Sequence, residues 1–158
     1  MSRKLLLSWS DLQQARLETL SRADADIAIF DRDLVRFALG SREIDAILRQ
    51  LLSSKPNARL RIALHDTARA TTTQPRLLQL LLRFGHAVTI RETPENLRQL
   101  ADEMLIVDSR DAVIHFQFDQ PRGKVIGDDP DEIQPYLRRF EELWAECGPP
   151  ISATSLGL

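Results

Sequence analysis

Short apolar runs alternate along this chain with stretches of helical period, and that alternation limits it to folds in which helices pack on a sheet. Residues 27–30 (Ile27, Ala28, Ile29, Phe30) form an apolar run between charged neighbours and read as a buried strand. Residues 60–64, 86–91, 104–107 and 112–118 are the strands expected after it. Helix signals fill the intervals. Ser10 or Asp11 caps a helix to about Arg22, with Leu12, Ala15 and Leu20 on one face. Ser41 caps a second, whose Ile44, Ile47, Leu48, Leu51 and Leu52 make an apolar stripe. Pro75 opens a third and Gly85 ends it, and its nearly all-leucine run 77–82 predicts deep burial. Pro94 opens a short helix to about Leu100. A closing helix over 131–146 turns Ile133, Leu137, Phe140, Leu143 and Trp144 to the core. Residues 68–74 and 119–130 read as loops. The tight turn at 108–111 makes the fourth and fifth strands an antiparallel hairpin. The expected fold is α/β, with a mixed, mostly parallel sheet and helices on both faces.

A length of 158 residues fits one domain, here 1–148. Gly148, Pro149 and Pro150 stop the last helix and leave 149–158 as an expected flexible tail. The net charge of -2 does not call for nucleic acid or an anionic membrane as partner. The single cysteine, Cys147, permits no intramolecular disulfide and points to a reducing compartment. Trp9, Ser10 and Asp11 interrupt the apolar run at 5–7, which is too short for a signal peptide. No window approaches the roughly 20 apolar residues of a membrane span. A cytoplasmic protein is expected.

The segment 100–108 carries a family resemblance. Phospholipase D-like domains place His-x-Lys, then four residues, then Asp, at the start of a strand, turn and strand. Here Ala101 stands at the histidine position, Glu103 at the lysine position and Asp108 at the aspartate position. The strand, turn, strand and closing helix follow in that family's order, so the chain resembles a phospholipase D-like domain over roughly 26–145. The resemblance implies a phospholipase D/nuclease-like three-layer α-β-α fold. It also implies lost activity. The family's histidine attacks phosphorus and its lysine grips the phosphate, whereas alanine cannot attack and a glutamate repels an anion. The family's downstream Gly-Ser falls near His115 and Phe116, and its Asn near Asp119, with no match. Active members join two half-motifs, so a chain with room for one half implies a homodimer. The chain is also similar to uncharacterised inactive bacterial domains, some attached to acetyltransferase domains, which implies a supporting role beside such a partner.

Other constellations point elsewhere. Asp31 and Asp33 follow a strand as Asp-x-Asp, resembling the first motif of haloacid dehalogenase-type phosphatases, and Asp128 and Asp129 with Lys124 resemble its later part. That reading implies a Mg²⁺-dependent phosphatase. Leu34 replaces the small residue expected after the motif, and Lys124 lies too near Asp128 in sequence. His65 and Asp66 end a strand where open α/β sheets bind ligands, and Arg69 with Thr67 and threonines 71–73 offers groups to an anion. His115 is a further ligand candidate, although a partly exposed strand histidine is the plainer reading. The three histidines and one cysteine form no zinc pattern, and 123–127 lacks the length and the following helix of a phosphate loop. Arg59, Arg61, Arg138 and Arg139 read as solvated faces. Neither metal nor cofactor is expected on the favoured reading, and nucleic-acid binding is the weakest of the three.

Overall fold

The computed structural model describes residues 2–153. Seven strands form one sheet in the order β1-β7-β6-β5-β2-β3-β4. The strands are β1 (Ser2–Leu6), β2 (Asp26–Asp31), β3 (Arg59–Leu64), β4 (Val88–Glu92), β5 (Glu103–Val107), β6 (Asp111–His115) and β7 (Gly123–Gly127). The helices are α1 (Trp9–Ser21), α2 (Arg42–Ser54), α3 (Thr67–Thr73), α4 (Pro75–Arg83) and α5 (Pro130–Glu146), with a 3-10 turn at Glu95–Leu97.

The sheet is mixed, but the expectation of a mostly parallel one is corrected. Only β2–β3 and β3–β4 run parallel, because helices connect them. The four remaining pairings are antiparallel. Short links from β5 through β6 to β7 leave no room for crossover helices, so each strand folds back on the last.

Alternation along the central strands separates two buried clusters. Ile27, Ile29, Leu60, Ile62, Leu105 and Val107 join Leu12, Leu20, Ile44, Leu48 and Leu80 from α1, α2 and α4. Ala28, Phe30, Ala63, Met104 and Ile106 join Ile133, Phe140 and Leu143 from α5. No helix among the described residues is long and apolar enough to cross a membrane.

Four local expectations change. Residues 68–74 belong largely to α3: Asp66 caps it by accepting from the Arg69 N–H at 2.9 Å, and Thr71, Thr72 and Thr73 donate to carbonyls four residues back. The leucine-rich α4 is not covered all round, since Leu82 is 65% exposed while Leu77, Leu80 and Leu81 are buried. Residues 119–130 contain β7, whose Gly123 lies so close to β6 that a Cβ would sit 2.3 Å from the Ile114 carbonyl oxygen. The tail expected from 149 begins docked: the Gly148 and Ile151 N–H groups donate to Glu92 and Ile90, and Ala153 is buried. Residues 154–158 of that tail lie outside the described residues.

Candidate functional site

Register across three strands builds the site. β2 and β5 pair Phe30 with Met104, so one step further Asp31 lies opposite Glu103. β5 and β6 pair Glu103 with His115. Three titratable side chains therefore stand abreast on the face that carries α1, at the end of the sheet where β2 finishes and β5 begins. Arg16 of α1 completes the group, and all four are buried.

Glu103 is the hub. Its Oε2 accepts from the Arg32 N–H at 2.8 Å, its Oε1 lies 2.8 Å from His115 Nδ1, and Arg16 Nη2 is 3.7 Å from the same oxygen. Burial pushes this carboxyl up, but hydrogen bonds from His115 and the Arg32 N–H, with the Arg16 charge, outweigh it and hold Glu103 below its usual range. Asp31 goes the other way. Full burial, then the neighbouring Glu103 charge, holds its carboxyl well above the usual range. The Arg16 guanidinium is pulled down by burial, opposed by Asp31 and Glu103.

Asp31 also fixes a strained turn. Its Oδ2 accepts from the Leu34 N–H at 2.7 Å, and Leu34 takes a left-handed backbone with φ of 65°. That turn directs Arg32 and Arg36 over the end of the sheet. Arg32 stacks on Phe118 with its guanidinium carbon 4.0 Å from the ring centre, and Arg36 stacks on Trp9 at 3.9 Å. A cavity of about 390 Å³ opens there, with Asp31 and Glu103 among its walls beside Arg32, Arg36, Arg69 and Phe118.

The residues singled out by sequence do not all converge. Glu103 and Asp66 line the cavity, as does Arg69, whose guanidinium is 3.2 Å from Asp33. Ala101 lies just ahead of β5, where its carbonyl accepts from the Phe118 N–H at 2.8 Å. His65 falls on the opposite face, edge-on to Phe30, because it shares the parity of Ala63. Its Nε2 faces the Leu100 carbonyl at 2.9 Å and its Nδ1 faces Thr93 Oγ1 at 2.6 Å; burial holds it below its ordinary value, as a neutral ring. His115 is not a partly exposed strand residue but is 1% exposed. Its two ring nitrogens face Glu103 and, at 2.6 Å, the Gln120 carbonyl. Both ring nitrogens are therefore engaged. Neither histidine has a ring nitrogen left for a ligand.

Asp108 sits at the far end of β5 from Glu103. There its carboxylate accepts from the N–H groups of Asp24, Ala25 and Asp26 at 2.8, 2.9 and 2.8 Å. The phosphatase pattern is not assembled. β7 runs away from the Asp31 end, so Asp128 and Asp129 follow it at the opposite end of the sheet. Among the described residues no group of three histidine, cysteine or acidic side chains is placed to hold a metal. Lys124 instead reaches Glu132. Arg59, Arg61 and Arg139 each carry a carboxylate partner. Cys147 is buried, and burial pushes its thiol up, away from a reactive thiolate.

Sequence reasoning missed Arg16, Arg32, Arg36 and the Asp31–Glu103 pairing. The one signal at hand for the neighbouring Glu103–His115 contact was the tight turn at 108–111, which fixes those two residues opposite each other.

A family model described as a domain of unknown function (DUF7931) matches residues 8–156. No curated protein matches the sequence. Solved structures do. Nuc, a phospholipase D family member from Salmonella typhimurium, superposes with a TM-score of 0.68 at 15% identity, covering 96% of this chain and 98% of that one. NucT from Helicobacter pylori gives 0.63 at 12% identity, over 94% and 98%. TrmBL2, an archaeal chromatin protein, gives 0.68 at 14% identity, over 93% of this chain and 54% of that one. At such identities the likeness is one of fold.

Proposed function

We propose that this chain, which belongs to the DUF7931 family, is a phospholipase D-like domain without catalytic power that serves as a binding or scaffold module and works as a homodimer. The observation that carries this reading is Glu103. At the position where the motif needs a cation, a carboxylate is locked in place by the Arg32 N–H, His115 and Arg16. A buried anion at the floor of the cavity opposes phosphate approach to the reacting position. With Ala101 beside it, and both His65 and His115 fully engaged, neither of these imidazoles is free to attack.

The cavity retains the means to bind. Among the described residues Arg32 and Arg36 have no carboxylate partner within ion-pair distance, and both are stacked on aromatic rings, so little side-chain freedom is lost when they meet a ligand. Helices on both faces of the sheet fit the three-layer arrangement implied by the family resemblance. The dimer rests on that resemblance and on exposed apolar side chains at the cavity end. Val35 lines the cavity, Trp9 carries Arg36, and Phe116 follows His115; all three are exposed. A second copy seated there covers them.

Two measurements test the reading. Incubation of the purified chain with bis-p-nitrophenyl phosphate and with a phospholipid diester is expected to give no hydrolysis above buffer; turnover that co-purifies with the chain overturns the inactive assignment. Light scattering behind size exclusion at micromolar concentration is expected to return twice the 18.0 kDa chain mass. A strict monomer removes the dimer.

A further inference from the structure

The face of the sheet that carries α5 holds another hollow. β3 and β4 pair Arg61 with Thr89 and Ala63 with Arg91, so Arg59, Arg61, Thr89 and Arg91 project on one side. Ala87 and Thr89 are small, and the space beside the arginines stays open as a cavity of about 410 Å³. Arg59, Arg61, Arg91 and His86 line it together with Trp144, and among the described residues no carboxylate does.

The guanidiniums are fastened from outside this space. Arg59 makes a two-pronged contact with Asp26 at 3.2 and 3.1 Å, and Arg61 reaches Glu141 at 2.6 Å. Arg91 donates to the Gly148 and Cys147 carbonyls at 2.7 and 2.5 Å and lies over Trp144. Arg91 has no carboxylate within ion-pair distance among the described residues, so these arginines carry an uncancelled positive charge. Arg61 is 8% exposed, and its Nε has no hydrogen-bond partner among the described residues.

We infer that this hollow binds a small oxyanion, a phosphate or carboxylate group, between Arg61 and Arg91, with the Thr89 hydroxyl and His86 at its mouth. Planar guanidiniums held by other contacts present a preoriented fork to such a group. The anion supplies the negative charge that Arg91 lacks. The hollow is on the opposite face from Asp31 and Glu103, and its occupation is independent of the role given to the first cavity.

The test is nitrogen-edited NMR of the full chain at low ionic strength, following the arginine Nε–H signals and the Trp144 indole N–H. Inorganic phosphate and citrate are added in separate titrations, with sodium chloride at matched ionic strength as the control. Saturable shifts at Arg61 and Trp144 are expected from phosphate, citrate or both, and the stronger of the two tells a phosphate from a carboxylate ligand. Thr89→Glu places a carboxylate inside the hollow; it is expected to weaken binding about tenfold or more, and clearly more than Thr89→Gln, which loses the same hydroxyl without adding a charge. Should Thr89→Glu fail to fold, His86→Glu at the exposed mouth is expected to weaken binding in the same direction. Shifts that rise without saturating, that match those from chloride, or that persist unchanged in the acidic variant overturn the inference.

Discussion

Glu103 is both the departure from the phospholipase D-like motif and the residue on which a buried network depends. Removing its charge while keeping its shape separates these roles. Glu103→Gln leaves Arg16, with a side chain only 4% exposed, without its ionised neighbour, and removes the carboxylate that His115 faces. Breaking one side of a buried ion pair costs about 3–5 kcal/mol, because the remaining charge stays desolvated. Urea denaturation at neutral pH is expected to show a loss of that size; a loss below about 1 kcal/mol would mean that Arg16 does not rely on Glu103. The sequence reveals Glu103 as a departure from the motif and Asp31 only as half of an Asp-x-Asp pair, and it reveals nothing of Arg16 or of the Asp31–Glu103 pairing. These lie in elements distant along the chain, and only the strand order brings them alongside. Pairing β2 with β5 is a tertiary fact with no local signal.

At the level of elements, the hairpin at 108–111 is legible because its turn chemistry is local. Asp108 and Ser109 both take positive φ, of 54° and 53°, and the Arg110 N–H returns to the Val107 carbonyl at 3.1 Å. Asp108 has a second task that its position in the motif hides. It collects three backbone N–H groups from the segment entering β2 and ties the start of that strand to the end of β5. Asp108→Ala leaves those three donors to solvent and gives up several charge-assisted bonds, an expected loss of about 2–4 kcal/mol in urea unfolding. Hydrogen exchange at Asp24, Ala25 and Asp26 is expected to quicken in the same variant; unchanged protection there would refute the tie. Other elements are illegible for identifiable reasons. α3 reads as a loop because threonine is a weak helix former, and the hydroxyl bonds to preceding carbonyls appear only once the helix exists. β7 has a short apolar centre between two glycines, and β1 is an edge strand with Arg3, Lys4 and Leu5 all exposed, so neither shows the alternation that marks a half-buried strand.

For the whole molecule, the same buried network makes stability a function of pH, with two opposing limbs. Glu103 is held below its ordinary value of 4.5, so in acid the unfolded chain takes up this proton before the folded one. Its contribution is complete above that value and is lost as the pH falls through the folded one. His65, also lowered, acts in the same sense below its ordinary 6.5, since the folded protein keeps the ring neutral where the unfolded chain charges it. Asp31 works against both. Its folded value lies well above 3.8, so between the two values the folded protein holds a proton that the unfolded chain has released, and stability declines as the pH rises. Asp31→Asn isolates this limb because an amide keeps a neutral polar group at the site and cannot be charged. Relative to the native chain, the variant is expected to gain stability as the pH is raised above 3.8, for as long as the folded carboxyl keeps its proton, while the acid limb from Glu103 and His65 remains. Urea midpoints collected across that range give both curves directly. Parallel curves would mean that Asp31 is already ionised in the folded protein. The floor of the cavity would then carry two negative charges, and the case for a proton held between β2 and β5 would fail.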